Sequence, residues 1–99
     1  MGLGIVLTDC NGKLLERVDD PRNLLHRLLP TTNDDSEHVL AKIDWYGDTY
    51  FNYLQIKDLL EEWDQLVAET SEEIALIDGV RRLAVECQKD RGLLRFIGD

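Results

Sequence analysis

The residues whose types best suit recognition chemistry lie between positions 44 and 53, a stretch that we call the aromatic segment. It reads Asp-Trp-Tyr-Gly-Asp-Thr-Tyr-Phe-Asn-Tyr and holds five of the seven aromatic residues of the chain. Trp and Tyr side chains bring a large contact area and dominate the binding energy of many protein interfaces. The carboxylates of Asp44 and Asp48 would favour a cationic partner. The segment therefore predicts an aromatic recognition surface with an acidic edge.

A structural role is the alternative for the same residues. Alternate aromatic side chains can fill the core between a sheet and its helices, while Asp44 and Asp48 accept hydrogen bonds from turn amides. Trp45 and Tyr46 are adjacent at a turn, however, and neighbouring side chains of a regular strand point to opposite faces. At least one of these two is therefore predicted to be an exposed anchor.

A second concentration of charge is an acidic run from residue 58 to 80, which contains eight acids and no Lys or Arg. One interpretation is a solvated outer helix face with acids placed favourably near a helix start. The other is a docking surface that speeds association with a basic partner and weakens with salt. Across both stretches, the candidate binding residues are Asp44, Trp45, Tyr46, Asp48, Glu61, Glu62 and Asp64.

Signals for catalysis are weak. His26 lies in a Leu-rich stretch and His38 in a polar one, where Ser36 and nearby acids supply the residue types of a hydrolase triad. The sequence has no strained turn of the kind that exposes such a nucleophile. The two histidines do not have the spacing of a metal-binding motif. The sequence therefore predicts no catalytic residue, no bound metal and no cofactor.

The first 30 residues predict a β-hairpin followed by a short helix. Residues 4–18 form the hairpin, because Asn11 and Gly12 tolerate the positive φ angles of a tight turn between two strands. Asp20 is placed to cap a short helix that begins at Pro21, and a second proline ends that helix.

A second strand pair is predicted around the aromatic segment. The polar residues 31–38 are typical of a surface loop. Residues 39–44 and 49–51 contain β-preferring side chains. We expect them to pair across a turn in which Gly47 takes a positive φ.

Two amphipathic helices and a final strand complete the chain. Asn52 and Gln55 have the spacing of a capping box, and so do Thr70 and Glu73. Apolar residues recur after each box with a period of about 3.6 residues, which predicts an antiparallel helical hairpin. Gly92 suits the position after a helix end, and the residues that follow it are expected to form a strand.

The resulting element order, ββαββααβ, does not alternate strictly between strands and helices. It predicts a single α+β domain over residues 1–99. The expected architecture is an antiparallel or mixed sheet of four to five strands with helices packed on one face.

Charge and composition exclude several classes of function. The chain has 99 residues with 11 Lys+Arg against 20 Asp+Glu, a formal net charge of −9. Binding to nucleic acid or to anionic lipid rests on clustered cations, so neither partner is expected. The first apolar run is too short for a signal peptide or a membrane span. We therefore expect a cytoplasmic location, with Cys10 and Cys87 as reduced thiols.

The string Asp-x-Tyr-Gly-Asp-Thr-x-Phe-Asn-x-Leu-Gln occupies residues 44–55, and the chain ends in Phe-Ile-Gly-Asp. With these motifs, the chain resembles an uncharacterised group of acidic, single-domain bacterial proteins of about 100 residues. The resemblance implies a soluble bacterial protein and indicates that residues 44–55 are the signature of the group. It implies no catalytic residue.

The leading functional hypothesis is a non-catalytic protein-interaction module that binds a basic partner through acidic and aromatic surface. Its sharpest form is an immunity or antitoxin-type inhibitor of a basic bacterial toxin, since a small acidic domain can mimic the charge of nucleic acid. One alternative is a small enzyme or ligand-binding protein that uses the Asp44–Asp48 loop with a nearby histidine. Another is a homodimer whose apolar face is covered by a second copy.

Overall fold

A four-stranded antiparallel sheet with helices on one of its faces is the framework of the fold. The computed structural model describes residues 3–29 and 39–98. Its strands are β1 (Gly4–Thr8), β2 (Leu14–Asp19), β3 (Asp48–Asn52) and β4 (Leu93–Ile97). Its helices are α1 (Leu25–Leu28), a 3₁₀ helix (Leu40–Lys42), α2 (Ile56–Trp63) and α3 (Ser71–Asp90). The α+β class and the antiparallel sheet predicted from the sequence are confirmed.

The strand order is β2–β1–β4–β3, which places the two most apolar strands in the centre of the sheet. Val6 in β1 stands opposite both Arg17 in β2 and Arg95 in β4. β3 pairs with β4, and Tyr50 stands opposite Arg95. Within the described residues, β2 and β3 are therefore the two edges of the sheet.

The core lies between the sheet and the helices. Its largest fully buried side chains include Phe51, Trp63 and Phe96. The rings of Phe51 and Phe96 meet edge to face with their centroids 5.6 Å apart. The Trp63 indole donates a hydrogen bond to the Ile77 carbonyl at 3.1 Å, which satisfies the buried N–H. This bond joins α2 to α3 across the core.

The helix cap predicted at Thr70 is present, whereas Asn52 and Gln55 bond to each other in the turn before α2, whose N-cap is Gln55. Thr70 accepts a hydrogen bond from the Glu73 amide at 3.2 Å, and the Glu73 carboxylate accepts one from the Thr70 amide at 3.3 Å. Asp20 is buried, and its carboxylate accepts hydrogen bonds from two amides, one of them that of Leu25, at 2.8 Å each. The helix capped by Asp20 begins at Leu25, further along the chain than the predicted start at Pro21.

Residues 39–44 do not form the predicted strand. Leu40–Lys42 is a 3₁₀ helix, and the buried residues Leu40 and Ile43 are three positions apart rather than two. The Glu62 carboxylate from α2 accepts hydrogen bonds from two amides at the start of this turn, at 2.7 and 2.9 Å. An acceptor that is distant in sequence thus satisfies the amides of a helical turn. The described sheet has four strands, the lower of the two numbers expected.

Candidate interaction surface

The turn that leads into β3 is held by hydrogen bonds within it and to β4. The Asp44 carboxylate accepts one from the backbone amide of Tyr46 at 2.9 Å, and the Thr49 hydroxyl accepts one from the Asp44 amide at 2.8 Å. The Gly98 amide donates to the Gly47 carbonyl at 2.6 Å. Asp44 therefore has the turn-forming role of the structural alternative, and the backbone of the turn is fixed in place.

Gly47 serves this turn by allowing close approach rather than by a positive φ. The prediction of a positive φ was wrong, because among the described glycines Gly12 has that geometry, at 85°. A Cβ atom at Gly47 would lie 2.7 Å from Asp44 Oδ2, closer than real Cβ atoms come to other heavy atoms. Only glycine leaves room for the carboxylate that binds the Tyr46 amide.

The two adjacent aromatic side chains of the turn have different environments. Trp45 is partly buried against the core, and its ring meets the His26 ring edge-on with centroids 5.2 Å apart. Tyr46 is 86% exposed. Of this pair, Tyr46 is the side chain accessible to a partner.

Three further exposed side chains lie in β3 or in the turn after it, and we call these residues together with Tyr46 the β3 edge face: Tyr46, Tyr50, Tyr53 and Leu54. Leu54 is 71% exposed and Tyr50 is 54% exposed. Isolated exposed apolar residues are common on proteins, whereas groups of them mark interaction sites. The β3 edge face is therefore the strongest candidate site in the described residues.

The backbone of β3 adds unpaired hydrogen-bonding groups to this face. In an antiparallel pair, residues that bond to the neighbouring strand alternate with residues whose amide and carbonyl point away from it. The carbonyl of Gly47 accepts a hydrogen bond from Gly98, so Gly47 is a residue whose backbone points toward the β4 side. By alternation, the amides and carbonyls of Asp48 and Tyr50 point away from β4. Those of Asn52 are used by the turn that follows β3. An extended chain can pair with such an edge.

Asp48 forms an ion pair rather than a turn hydrogen bond. Its Oδ2 atom lies 2.6 Å from a terminal nitrogen of Arg95, and the hydrogen bond between them raises the pKa of Arg95. The guanidinium carbon of Arg95 lies 5.4 Å from the centre of the Tyr50 ring. Phe51 is buried in the core, so Tyr50 faces the opposite side of the sheet. Asp48 thus holds a cation against an exposed aromatic ring.

Three arginines outside the 58–80 run form ion pairs with five of its eight acids. The ion pairs are Arg22 with Glu72, Arg27 with Glu69 and Glu73, and Arg81 with Asp64 and Asp78. The hydrogen bond from Arg27 lowers the pKa of Glu73, which is buried. The local field along α3 is therefore weaker than the sequence alone indicates.

The three acids predicted to bind a partner at or just after α2 differ in their surroundings. Glu62 bonds to amides of the 3₁₀ helix, and Asp64 lies 3.0 Å from Arg81. Glu61 is exposed, and no ion pair to another described residue involves it. Of these three acids, Glu61 is thus the one that the described ion pairs leave accessible to a partner.

A nearby histidine is required by the enzyme alternative. His26 contacts the Trp45 ring at the turn before β3, and His38 lies outside the described residues. No group of three or more His, Cys, Asp or Glu side chains within residues 3–29 and 39–98 is arranged to hold a metal ion. The carboxylates of Asp44 and Asp48 are therefore already engaged in hydrogen bonds. The described histidine near them, His26, packs against the Trp45 ring.

The two thiols are free and differ in reactivity. Cys10 is exposed, whereas Cys87 is buried in the core. Burial, with a smaller effect from the charge of Asp90, raises the pKa of Cys87 to about 11. Cys87 is therefore a packing residue with little thiolate at neutral pH.

Tyr50, Leu54 and Arg95 were not among the residues predicted to bind. The alternation of β3 is a local signal for Tyr50, because a neighbouring Phe51 in the core requires Tyr50 to face outward. The contact with Arg95 depends on the pairing of β3 with β4, and 47 positions separate Arg95 from Asp48. No local pattern reveals a contact of that kind.

No family model, curated protein or solved structure matches this chain. Among the described residues, no helix combines the length and the apolar character needed to cross a bilayer. The functional inference therefore rests on the geometry of the β3 edge face and on the distribution of charge.

Proposed function

We propose that the protein is a non-catalytic protein-interaction module that binds a basic protein through the β3 edge face. The observation that carries the proposal is Tyr46, which is 86% exposed on a turn held by hydrogen bonds. A large side chain on a fixed backbone loses little conformational entropy when it binds. Tyrosine is also one of the residues most enriched at interface hot spots.

Main-chain groups support the same surface. Asp48 and Tyr50 each direct an amide and a carbonyl away from β4. An extended segment of a partner can add to such an edge, with main-chain hydrogen bonds supplying affinity. The side chains of Tyr50 and Leu54 would then supply specificity.

Charge supports a basic partner. The net charge is −9, and within the described contacts Asp58 and Glu61 on α2 have no ion-pair partner. Because arginines pair with Glu72, Glu73 and Asp78 of α3, the attraction comes mainly from the net charge of the molecule and from these α2 acids. Such a field speeds association with a cationic protein and is screened by salt.

An immunity or antitoxin-type inhibitor of a basic toxin is the specific form of this proposal. A small acidic domain can match the charge of a nucleic-acid substrate and associate quickly with the protein that binds it. A cytoplasmic location and membership of the acidic bacterial group that the chain resembles belong to the same proposal.

Affinity capture from a bacterial lysate tests the proposal with three immobilised chains: wild type, Tyr46→Ala and Val67→Ala. Val67 is the matched control, because it is 73% exposed and lies outside the β3 edge face. We expect wild type and Val67→Ala to retain the same basic protein at low salt, and Tyr46→Ala to lose it. Equal retention by all three chains, or retention that added salt leaves unchanged, would contradict the proposal.

A further inference from the structure

The β3 edge face is arranged symmetrically about its central residue. Tyr50 lies in the middle of β3, with Asp48 and Asn52 two positions away on either side. The exposed side chains of Tyr46 and Leu54 lie four positions away on either side. We infer that β3 pairs in antiparallel orientation with β3 of a second copy of this chain, about a two-fold axis at Tyr50. The inference uses the same face as the proposed function and goes beyond it.

The backbone groups of β3 fit this arrangement. The amide and carbonyl of Tyr50 point away from β4. At a two-fold axis they exchange both hydrogen bonds with the same groups of the second copy, which is the hydrogen-bonded pair of an antiparallel ladder. The two sheets then join at Tyr50. The ladder is limited to this pair, because the amide and carbonyl of Asn52 are used by the turn that follows β3.

The side chains fit the same register. It places Asp48 opposite Asn52 on both sides of the axis, so a carboxylate faces an amide donor and no like charges meet. Tyr50 faces Tyr50 of the second copy as a cross-strand aromatic pair. Asp48, Tyr50 and Asn52 therefore each gain a complementary neighbour, as an isologous interface requires.

The other edge of the sheet lacks this complementarity. β2 carries the charged residues Glu16, Arg17 and Asp19. Its pairing with β1 is irregular, because the register shifts between Leu7 and Thr8 of β1. Charged side chains and bulges protect edge strands from pairing. In β3 the charged residue is Asp48, which Arg95 already neutralises. The features that discourage pairing are thus concentrated on β2.

A second copy and a basic partner would compete for one face, and salt affects them in opposite directions. Two chains that each carry a net charge of −9 repel each other, so added salt strengthens their association. Attraction to a cationic protein is weakened by the same screening. The sign of the salt effect therefore identifies the occupant of the face.

Sedimentation velocity over a range of micromolar concentrations, at low and high NaCl, tests the inference with variants of Asn52. Asn52→Asp keeps the turn before α2, since aspartate accepts the same two amide hydrogen bonds that Asn52 Oδ1 accepts. It also places carboxylates opposite each other across the axis. Gln88→Glu, at an exposed position of α3, makes the same change in charge. The double variant Asp48→Asn, Asn52→Asp restores a carboxylate opposite an amide.

We expect wild type to form a reversible dimer that high salt strengthens. Asn52→Asp should weaken the dimer about tenfold, because two like-charge pairs replace two complementary ones. Gln88→Glu should dimerise as wild type does, and the double variant should recover the dimer. Thermal unfolding of each chain confirms that a lost dimer is not a lost fold.

A wild-type chain that stays monomeric at every concentration and salt would overturn the inference. Equal weakening by Asn52→Asp and Gln88→Glu would also overturn it, because only one of these residues lies on β3. If the chain is monomeric but still captures a basic protein in a Tyr46-dependent manner, the proposed function stands and the inference fails. A dimer that responds as described, with no Tyr46-dependent capture, leaves the inference standing and removes the proposed function.

Discussion

At the scale of single residues, Gly47 is a position where the turn before β3 leaves little room for a side chain. A Cβ atom there would lie 2.7 Å from Asp44 Oδ2 and would displace the carboxylate that binds the Tyr46 amide. We expect Gly47→Ala to lower the free energy of unfolding by about 1–2 kcal/mol. Urea unfolding monitored by circular dichroism provides the measurement.

Gly79 supplies the control for that substitution. It lies inside α3, and a Cβ atom would meet Val18 at 3.6 Å, an ordinary contact distance. Gly79→Ala should therefore raise the free energy of unfolding by about 0.5–1 kcal/mol through helix propensity. Two alanine variants with the same effect on stability would show that the Gly47 contact is unimportant.

The two cysteines predict a simple difference in reactivity. Cys87 is buried with a pKa raised to about 11, whereas Cys10 is exposed. At mildly alkaline pH, a thiol reagent should modify Cys10 in the folded chain and reach Cys87 only after denaturation. Mass spectrometry of the native and denatured reactions measures this. Modification of both thiols at equal rates in the native protein would show that the core around α3 is open.

At the scale of elements, the N-terminus of α3 should make stability depend on pH. Glu73 is buried, and the hydrogen bond from Arg27 lowers its pKa in the folded chain. Its contribution to stability is therefore complete above the ordinary pKa of a glutamate and is lost as the pH falls through the lowered folded value. Glu73→Gln should be less stable than wild type at neutral pH and should lose less stability on acidification.

Urea midpoints measured over a series from neutral to acidic pH check this prediction. Glu72→Gln is the matched control, because Glu72 pairs with Arg22 at the exposed surface, where an ion pair contributes little. Parallel pH profiles for wild type and Glu73→Gln would contradict the assigned role of Glu73.

The elements also show how far the sequence predicts the fold. Capping boxes, turn glycines and apolar periodicity act over three or four residues, so the hairpin, α3 and its cap at Thr70 could be inferred locally. The predicted strand at 39–44 failed because the Glu62 carboxylate, more than 20 positions away, satisfies the amides of a helical turn instead.

The candidate site divides in the same way. The exposure of Tyr46 follows from the rule that two neighbours cannot both face the core. The edge position of β3, and the contact of Tyr50 with Arg95, depend on the strand order β2–β1–β4–β3. Strand order is a tertiary property, and it is what converts a local aromatic segment into a surface along an open edge.

At the scale of the whole molecule, ion pairs between arginines and carboxylates coexist with a large negative net charge. Three arginines form ion pairs with five acids on or near α3, yet the chain retains a net charge of −9. The proposed basic partner would therefore experience an attractive field without a single dominant acidic patch. Under this proposal, specificity comes from the β3 edge face rather than from charge alone.

The affinity of a captured basic partner, measured for wild type and Tyr46→Ala at increasing NaCl, tests the central claim most directly. The account predicts that the affinity of wild type falls steadily with salt. It also predicts that Tyr46→Ala weakens binding about 30-fold at every salt concentration, the loss typical of a tyrosine hot spot. An affinity that neither salt nor the loss of the Tyr46 ring changes would contradict it.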